Sequence, residues 1–160
     1  MQTIEGSQSA AGFRFAIVVS KYNDFVTERL QAGALAALAA AGVSSGDITV
    51  VRVPGAFEIP IAAQHAARSG RYDAVVCLGC LIRGATPHFE YIASAVSHGL
   101  TTAAGATGVP MAFGVLTTNS VEEAVERAGD GPSNKGWEAA AAAIEMAAVV
   151  AQLTRASSQA

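Results

Sequence analysis

Charge is scarce in this sequence. Only 14% of its 160 residues are Asp, Glu, Lys or Arg, where a soluble domain ordinarily carries about 25%. Two of them are lysines, Lys21 and Lys135, and the basic residues form no cluster. With a formal net charge of -3, the chain offers no electrostatic footprint for nucleic acid or for an anionic membrane surface. Long apolar runs are missing too. The alanine-rich stretch near the C-terminus is interrupted by Glu138 and Glu145, and the opening MQTIEGSQSA has no basic region followed by an apolar one. Neither a transmembrane helix nor a signal peptide is expected, which points to the cytoplasm.

Cysteine is nearly absent: Cys77 and Cys80 are the two, spelling CLGC. Redox CxxC pairs open a helix, whereas these lie inside the apolar run AVVCLGCLI, where residues three apart on a strand point to opposite faces. A zinc site would need a second Cys/His pair, which the sequence does not supply. Two buried thiols in a reducing compartment are expected instead. No Walker A or GxGxxG pattern occurs, so a nucleotide is not indicated.

What the chain does have is apolar residues, 51% of the total, with alanine used throughout. A chain of this length suits one domain burying roughly 70% of its unfolded surface. So little charge implies that other subunits cover much of the exterior, and a homo-oligomer is expected. Four short runs rich in Val, Ile or Phe stand out, at 13–20, 47–54, 73–82 and 109–118. They are more continuous than alternating, as strands covered on both faces of a parallel sheet are. Helical patterns lie between them. Asn23 or Asp24 can cap a helix ending at Gly42, and a second spans about Ala56 to Ser69, closing at Gly70. Thr86 can cap a third with Pro87 at its first position. Asn119 with Glu122 resembles a capping box for a short fourth, and KGWEAAAAAIEMAAVVAQL makes a long terminal helix. The alternation predicts an α/β fold, a three-layer sandwich around a central four-stranded parallel sheet. Residues 1–12 form a flexible N-terminal segment unless a neighbour holds them, ahead of a single domain over 13–156.

Ligands in such sheets bind outside the carboxyl ends of the strands. All four predicted strand ends lead into distinctive junctions: SKYNDF, VPGAFEIP, IRGATPHFEY and LTTNS. In the third, Gly84, Ala85 and Thr86 bring free backbone N–H groups to a helix start, which favours an anion, although every helix start has such donors. His88 in the first turn faces the positive end of the dipole, which favours a neutral ring able to act as a base; a surface or packing histidine is the plainer alternative. His65 and His98 are mid-helix without polar neighbours and read as structural. Phe57 and Glu58 at the second junction place a carboxylate beside an aromatic ring, suited to a polyol or heterocycle; Glu58 could equally be a dipole-favoured helix glutamate. Tyr22 offers a second aromatic. Phe113 lies within the fourth strand and reads as core, while Arg127 and Lys135 supply cations late in the chain.

Taken together and in order, YNDF, GA in the first helix, VPGAFEIP, LGCLIRGATPHFEY, GVPMAFGVLTTN, ERAG and NKG resemble the lumazine synthase family of riboflavin biosynthesis, from about Phe13 to Leu153. The resemblance implies a flavodoxin-like fold with active sites between subunits of a pentamer. It implies condensation of 5-amino-6-ribitylaminouracil with 3,4-dihydroxy-2-butanone 4-phosphate, giving 6,7-dimethyl-8-ribityllumazine, phosphate and two waters, with no metal or organic cofactor. Position by position, it gives Tyr22 to the pyrimidine ring, Asn23, Ala56, Phe57 and Glu58 to the ribityl side, and Leu81 and Ile82 to ring contacts. Ala85, Thr86 and Arg127 fall at the phosphate, Lys135 nearby, Phe113 comes from the adjacent subunit, and His88 transfers protons. Association with riboflavin synthase and an icosahedral shell of pentamers are further implications; GDGPSNKG departs from the family's usual tight turn at Asp130, Gly131, Pro132 and Ser133, and Pro132 restricts it. Two alternatives use the same features. The pocket groups could hold riboflavin in a binding or storage assembly with little turnover, and the low charge would also suit a purely structural shell.

Overall fold

The computed structural model describes residues 1–159. Four strands, β1 (Phe15–Ser20), β2 (Ile48–Val53), β3 (Ala74–Ile82) and β4 (Met111–Thr118), pair in the order β2-β1-β3-β4. Every pairing is parallel, with Phe15 beside Ile48 and Ala74, and Val75 beside Met111. Helices α1 (Asp24–Ala40), α2 (Ile59–Arg68), α3 (His88–Thr107), α4 (Val121–Arg127) and α5 (Lys135–Gln159) connect and follow the strands. The order is the flavodoxin-like one, and it reverses direction between β1 and β3.

Of the four apolar runs expected to be covered on both faces, only the central strands β1 and β3 are; β2 and β4 lie at the sheet edges and leave Thr49, Val50, Arg52, Phe113 and Thr117 exposed. Phe15, Ile17 and Val19 of β1 and Val76, Leu78 and Cys80 of β3 face a core shared with α1, α4 and α5. Ala16, Val18, Val75 and Cys77 face the opposite core, shared with α2 and α3. Cys77 and Cys80 therefore lie on opposite sides of the sheet as free thiols. Burial pushes their pKa values up to about 12 and about 11, because the low-dielectric interior penalises the thiolate.

Alanine has a use in this architecture, since small side chains let α1 and α5 approach closely. Ala34 and Ala37 of α1 and Ala140, Ala143 and Ala147 of α5 are buried in one core. At the start of α5 the approach is closer still: a side chain on Gly136 would overlap the Leu30 carbonyl, and one on Gly33 would overlap the Asn134 amide.

Three expected helix starts are made differently. Asn23 adopts a left-handed conformation (φ 61) without capping α1; its Nδ2 instead donates to the Cys80 carbonyl at 2.9 Å. Thr86 does not cap α3 either, because the helix begins one residue late, with Pro87 at the cap position and no side-chain cap. The capping box before α4 is shifted by one residue. Ser120 Oγ accepts from Glu123 N at 3.2 Å and Glu123 Oε2 accepts from Asn119 N at 3.0 Å, so Ser120 and Glu123 do what Asn119 and Glu122 were expected to do.

Residues 5–8 run beside the C-terminal helix. Gln152 Nε2 donates to Glu5 O at 2.8 Å and Gln8 Nε2 to Glu145 Oε1 at 3.2 Å. Ala10 is fully buried and its N–H donates to Ala41 O at 2.9 Å. Among the described residues no helix is long and apolar enough to cross a membrane.

Candidate active site

The carboxyl ends of β1, β2 and β3 open into one cleft of about 810 Å³, at the point where strand order reverses. Local backbone bonds build its rim. Lys21 N and Tyr22 N donate to Val53 O and Pro54 O at 2.8 and 3.1 Å, tying the end of β1 to the end of β2. The Asn23 bond to Cys80 ties β1 to β3. Asn23, between the end of β1 and the start of α1, is in the left-handed region, which asparagine tolerates better than most residues.

Onto this rim the cleft brings Tyr22 and Asn23 from the first junction, Ala56, Phe57 and Glu58 from the second, and Leu81, Ile82, Thr86 and His88 from the third. Tyr22 and Phe57 are 73% and 63% exposed, so two aromatic faces stand free at the mouth. Asn23 has its amide N–H committed to β3, which leaves its oxygen to accept from a ligand. Glu58 lies in the turn Ala56–Glu58 that precedes α2, its Oε1 above Gly55, while His88 is the first residue of α3 and is exposed. A flat ring could stack, a polyol could be held at its hydroxyls, and a proton could be exchanged, all within one concavity. Ala85 is exposed and does not line the cleft.

Phe113, Arg127 and Lys135 do not join this cleft. They line a second one, of about 380 Å³, formed by β4, α4 and the first turns of α5. Phe113 is 50% exposed rather than core, on a strand that lies at the edge of the sheet. Lys135 Nζ pairs with Glu138 Oε2 at 2.8 Å and Arg127 Nη1 donates to Glu123 O at 3.1 Å. His65 and His98 lie outside both clefts; His98 Nδ1 bonds the carbonyl of Ser94, one turn back on its own helix, at 3.0 Å.

Sequence reasoning missed Phe89, Tyr91 and Ile92, which line the first cleft along α3. The spacing of 88, 91 and 92 on one helical face was the available signal. It also missed Arg83, whose side chain bonds Asn119 and Glu90 and stacks on the Phe89 ring. Among the described residues no group of acidic, His or Cys side chains is placed to hold a metal ion.

A doubly wound α/β sheet whose switch point carries an aromatic, carboxylate and imidazole cleft defines a protein that works on a small organic molecule. Comparison with known proteins names the family. The model described as 6,7-dimethyl-8-ribityllumazine synthase matches residues 12–151. A protein of that name from Syntrophus aciditrophicus (strain SB) is 54% identical over 149 residues, covering 93% of this chain and 97% of its own. The chain belongs to the 6,7-dimethyl-8-ribityllumazine synthase family.

Proposed function

We propose that the first cleft is where this chain carries out the reaction of its family. The chain is a transferase of riboflavin biosynthesis that condenses 5-amino-6-ribitylaminouracil with 3,4-dihydroxy-2-butanone 4-phosphate to 6,7-dimethyl-8-ribityllumazine. The observation that carries the assignment of the site is the meeting of Tyr22, Asn23, Glu58 and His88, from three separate junctions, around one concavity.

The chemistry explains why such residue types suffice. The substrate amine adds to the ketone and water leaves, giving an imine; phosphate is then eliminated, and the second nitrogen closes the ring with loss of a second water. Two reactants must be oriented and protons moved, and no protein nucleophile is needed. Tyr22 stacks on the pyrimidine ring, Asn23, Ala56 and Glu58 hold the ribityl chain beside Phe57, and Leu81 and Ile82 flank the ring. Thr86 meets the phosphate at the start of α3, where N–H groups point outward, and Ala85, outside the cleft lining, contributes through its backbone alone. His88 transfers the protons.

Arg127, Lys135 and Phe113 take part from a neighbouring copy. Supporting this is the existence of two separate, open clefts in one chain, together with aromatics at Tyr22, Phe57, Tyr91 and Phe113 that are each half exposed or more. The assembly is a pentamer at least, with an icosahedral shell and association with riboflavin synthase as extensions from family membership, in the cytoplasm. Mixing both substrates with the purified protein and following lumazine absorbance with phosphate release tests the activity. Product above the spontaneous rate is expected; background-rate product with tight riboflavin binding would turn the pocket into a flavin-storage site.

A further inference from the structure

The turn from β3 into α3 is held in an unusual way. His88 opens α3, yet the helix has no side-chain cap, residues 83–88 are all exposed, and a side chain built on Gly84 would meet nothing. Packing therefore does little to fix where His88 sits. Arg83 connects the segment to its surroundings. Its backbone N–H donates to Thr118 O at 2.8 Å and its Nε to Asn119 Oδ1 at 3.0 Å, both at the end of β4. Its Nη1 reaches Glu90 Oε1 at 2.7 Å, and its guanidinium lies 4.7 Å from the centre of the Phe89 ring. Phe89 lines the cleft beside His88.

We infer that Arg83 is a positioning residue for the condensation: it braces the first turn of α3 against the end of β4 and so sets where His88 and Thr86 meet the reactants. The inference rests on the function proposed above. A planar guanidinium suits this brace because it can donate in two directions while stacking on an aromatic face, which an ammonium cannot do. The Arg83–Glu90 pair is about half exposed, so it contributes little to overall stability; its effect is geometric. Misplacing a reacting group by about 1 Å can cost on the order of 100-fold in rate.

The test compares Arg83→Met, Arg83→Lys and Glu90→Gln with the parent in steady-state turnover and in amide hydrogen exchange of the peptide spanning residues 84–92. Arg83→Met should lower kcat by about 10-fold or more while KM for the pyrimidine substrate stays within about twofold, because Tyr22, Asn23 and Glu58 sit on other junctions. Arg83→Lys, which keeps the charge and one tether, should fall between Met and the parent, as should Glu90→Gln. Exchange in 84–92 should quicken in the same order. Unchanged exchange in Arg83→Met overturns the brace, and faster exchange with kcat within twofold of the parent overturns its role in the reaction. A parent protein with no turnover would instead bring down the proposed function, leaving the exchange arm to judge the brace alone.

Discussion

The Asn134 side chain is seated directly over Gly33, so close that a methyl group there would come within 2.5 Å of the Asn134 Cγ. The asparagine is 3% exposed and uses all of its capacity. Oδ1 accepts from Gly136 N and Trp137 N at 2.7 and 3.2 Å, capping α5, while Nδ2 donates to Gly129 O and Arg29 O at 2.8 and 3.2 Å. One buried amide thus joins the loop after α4, the start of α5 and the middle of α1.

Replacing Gly33 with Ala should cost about 1–3 kcal/mol of stability, as overpacking does. Asn134→Ala should cost about 1–2 kcal/mol, since it removes a helix cap and the bonds to the Gly129 and Arg29 carbonyls. Asn134→Asp keeps the cap but not the donors and should lie between Asn134→Ala and the parent. Denaturant unfolding of the three variants at one protein concentration checks the order.

Tyr22 should matter to the substrate and hardly at all to the fold. At 73% exposure, its removal leaves stability within about 0.5 kcal/mol. Loss of a stacking partner should raise KM for the pyrimidine substrate by about 3–10-fold in Tyr22→Ala. Tyr22→Phe should retain the parent value. Steady-state kinetics alongside a thermal melt separates the two effects, and a KM unchanged in Tyr22→Ala would remove the stacking role.

The thiols predict a pH dependence. Burial holds Cys77 and Cys80 protonated up to about 12 and about 11, against an ordinary value of 9.0. Above pH 9 the unfolded chain gives up these protons while the folded chain keeps them, so alkali favours unfolding. Their contribution is complete below pH 9 and is lost as pH rises towards 11 and then 12. Stability should therefore fall through that window, less steeply in a Cys77→Ala/Cys80→Ala variant. Iodoacetamide at pH 8 should label neither thiol until denaturant is added.

If the two clefts of different copies combine, His88→Ala and Arg127→Ala should each be nearly inactive alone, yet regain part of the parent rate when co-refolded. Some mixed contacts would then carry both intact halves. Size-exclusion chromatography of the mixture confirms co-assembly, and mixed assemblies without recovered activity would speak against a shared site.

Much of this is legible in the sequence. Apolar runs identified four strands but not which of them are central, glycines at 42 and 70 marked helix ends, and the residues at the strand carboxyl ends pointed to the cleft. What misled were features decided at longer range. Asn23 has the composition of a cap, but its backbone is left-handed rather than extended as a capping residue's is, and its Nδ2 is held by the Cys80 carbonyl. Phe113 looks like core because an edge strand and a central one can be equally apolar. Arg83 was overlooked because its partners, Asn119 and Glu90, come from different elements.

The alternation of strands and helices, the parallel sheet they require and the chemistry available at each junction are written in local pattern, because periodicity is local. Which junctions meet depends on how the strands pair. Strand order brings three of them around one cleft and leaves Phe113, Arg127 and Lys135 at another. That separation follows from which strand lies at the edge, a property of pairing between distant segments that no local pattern encodes.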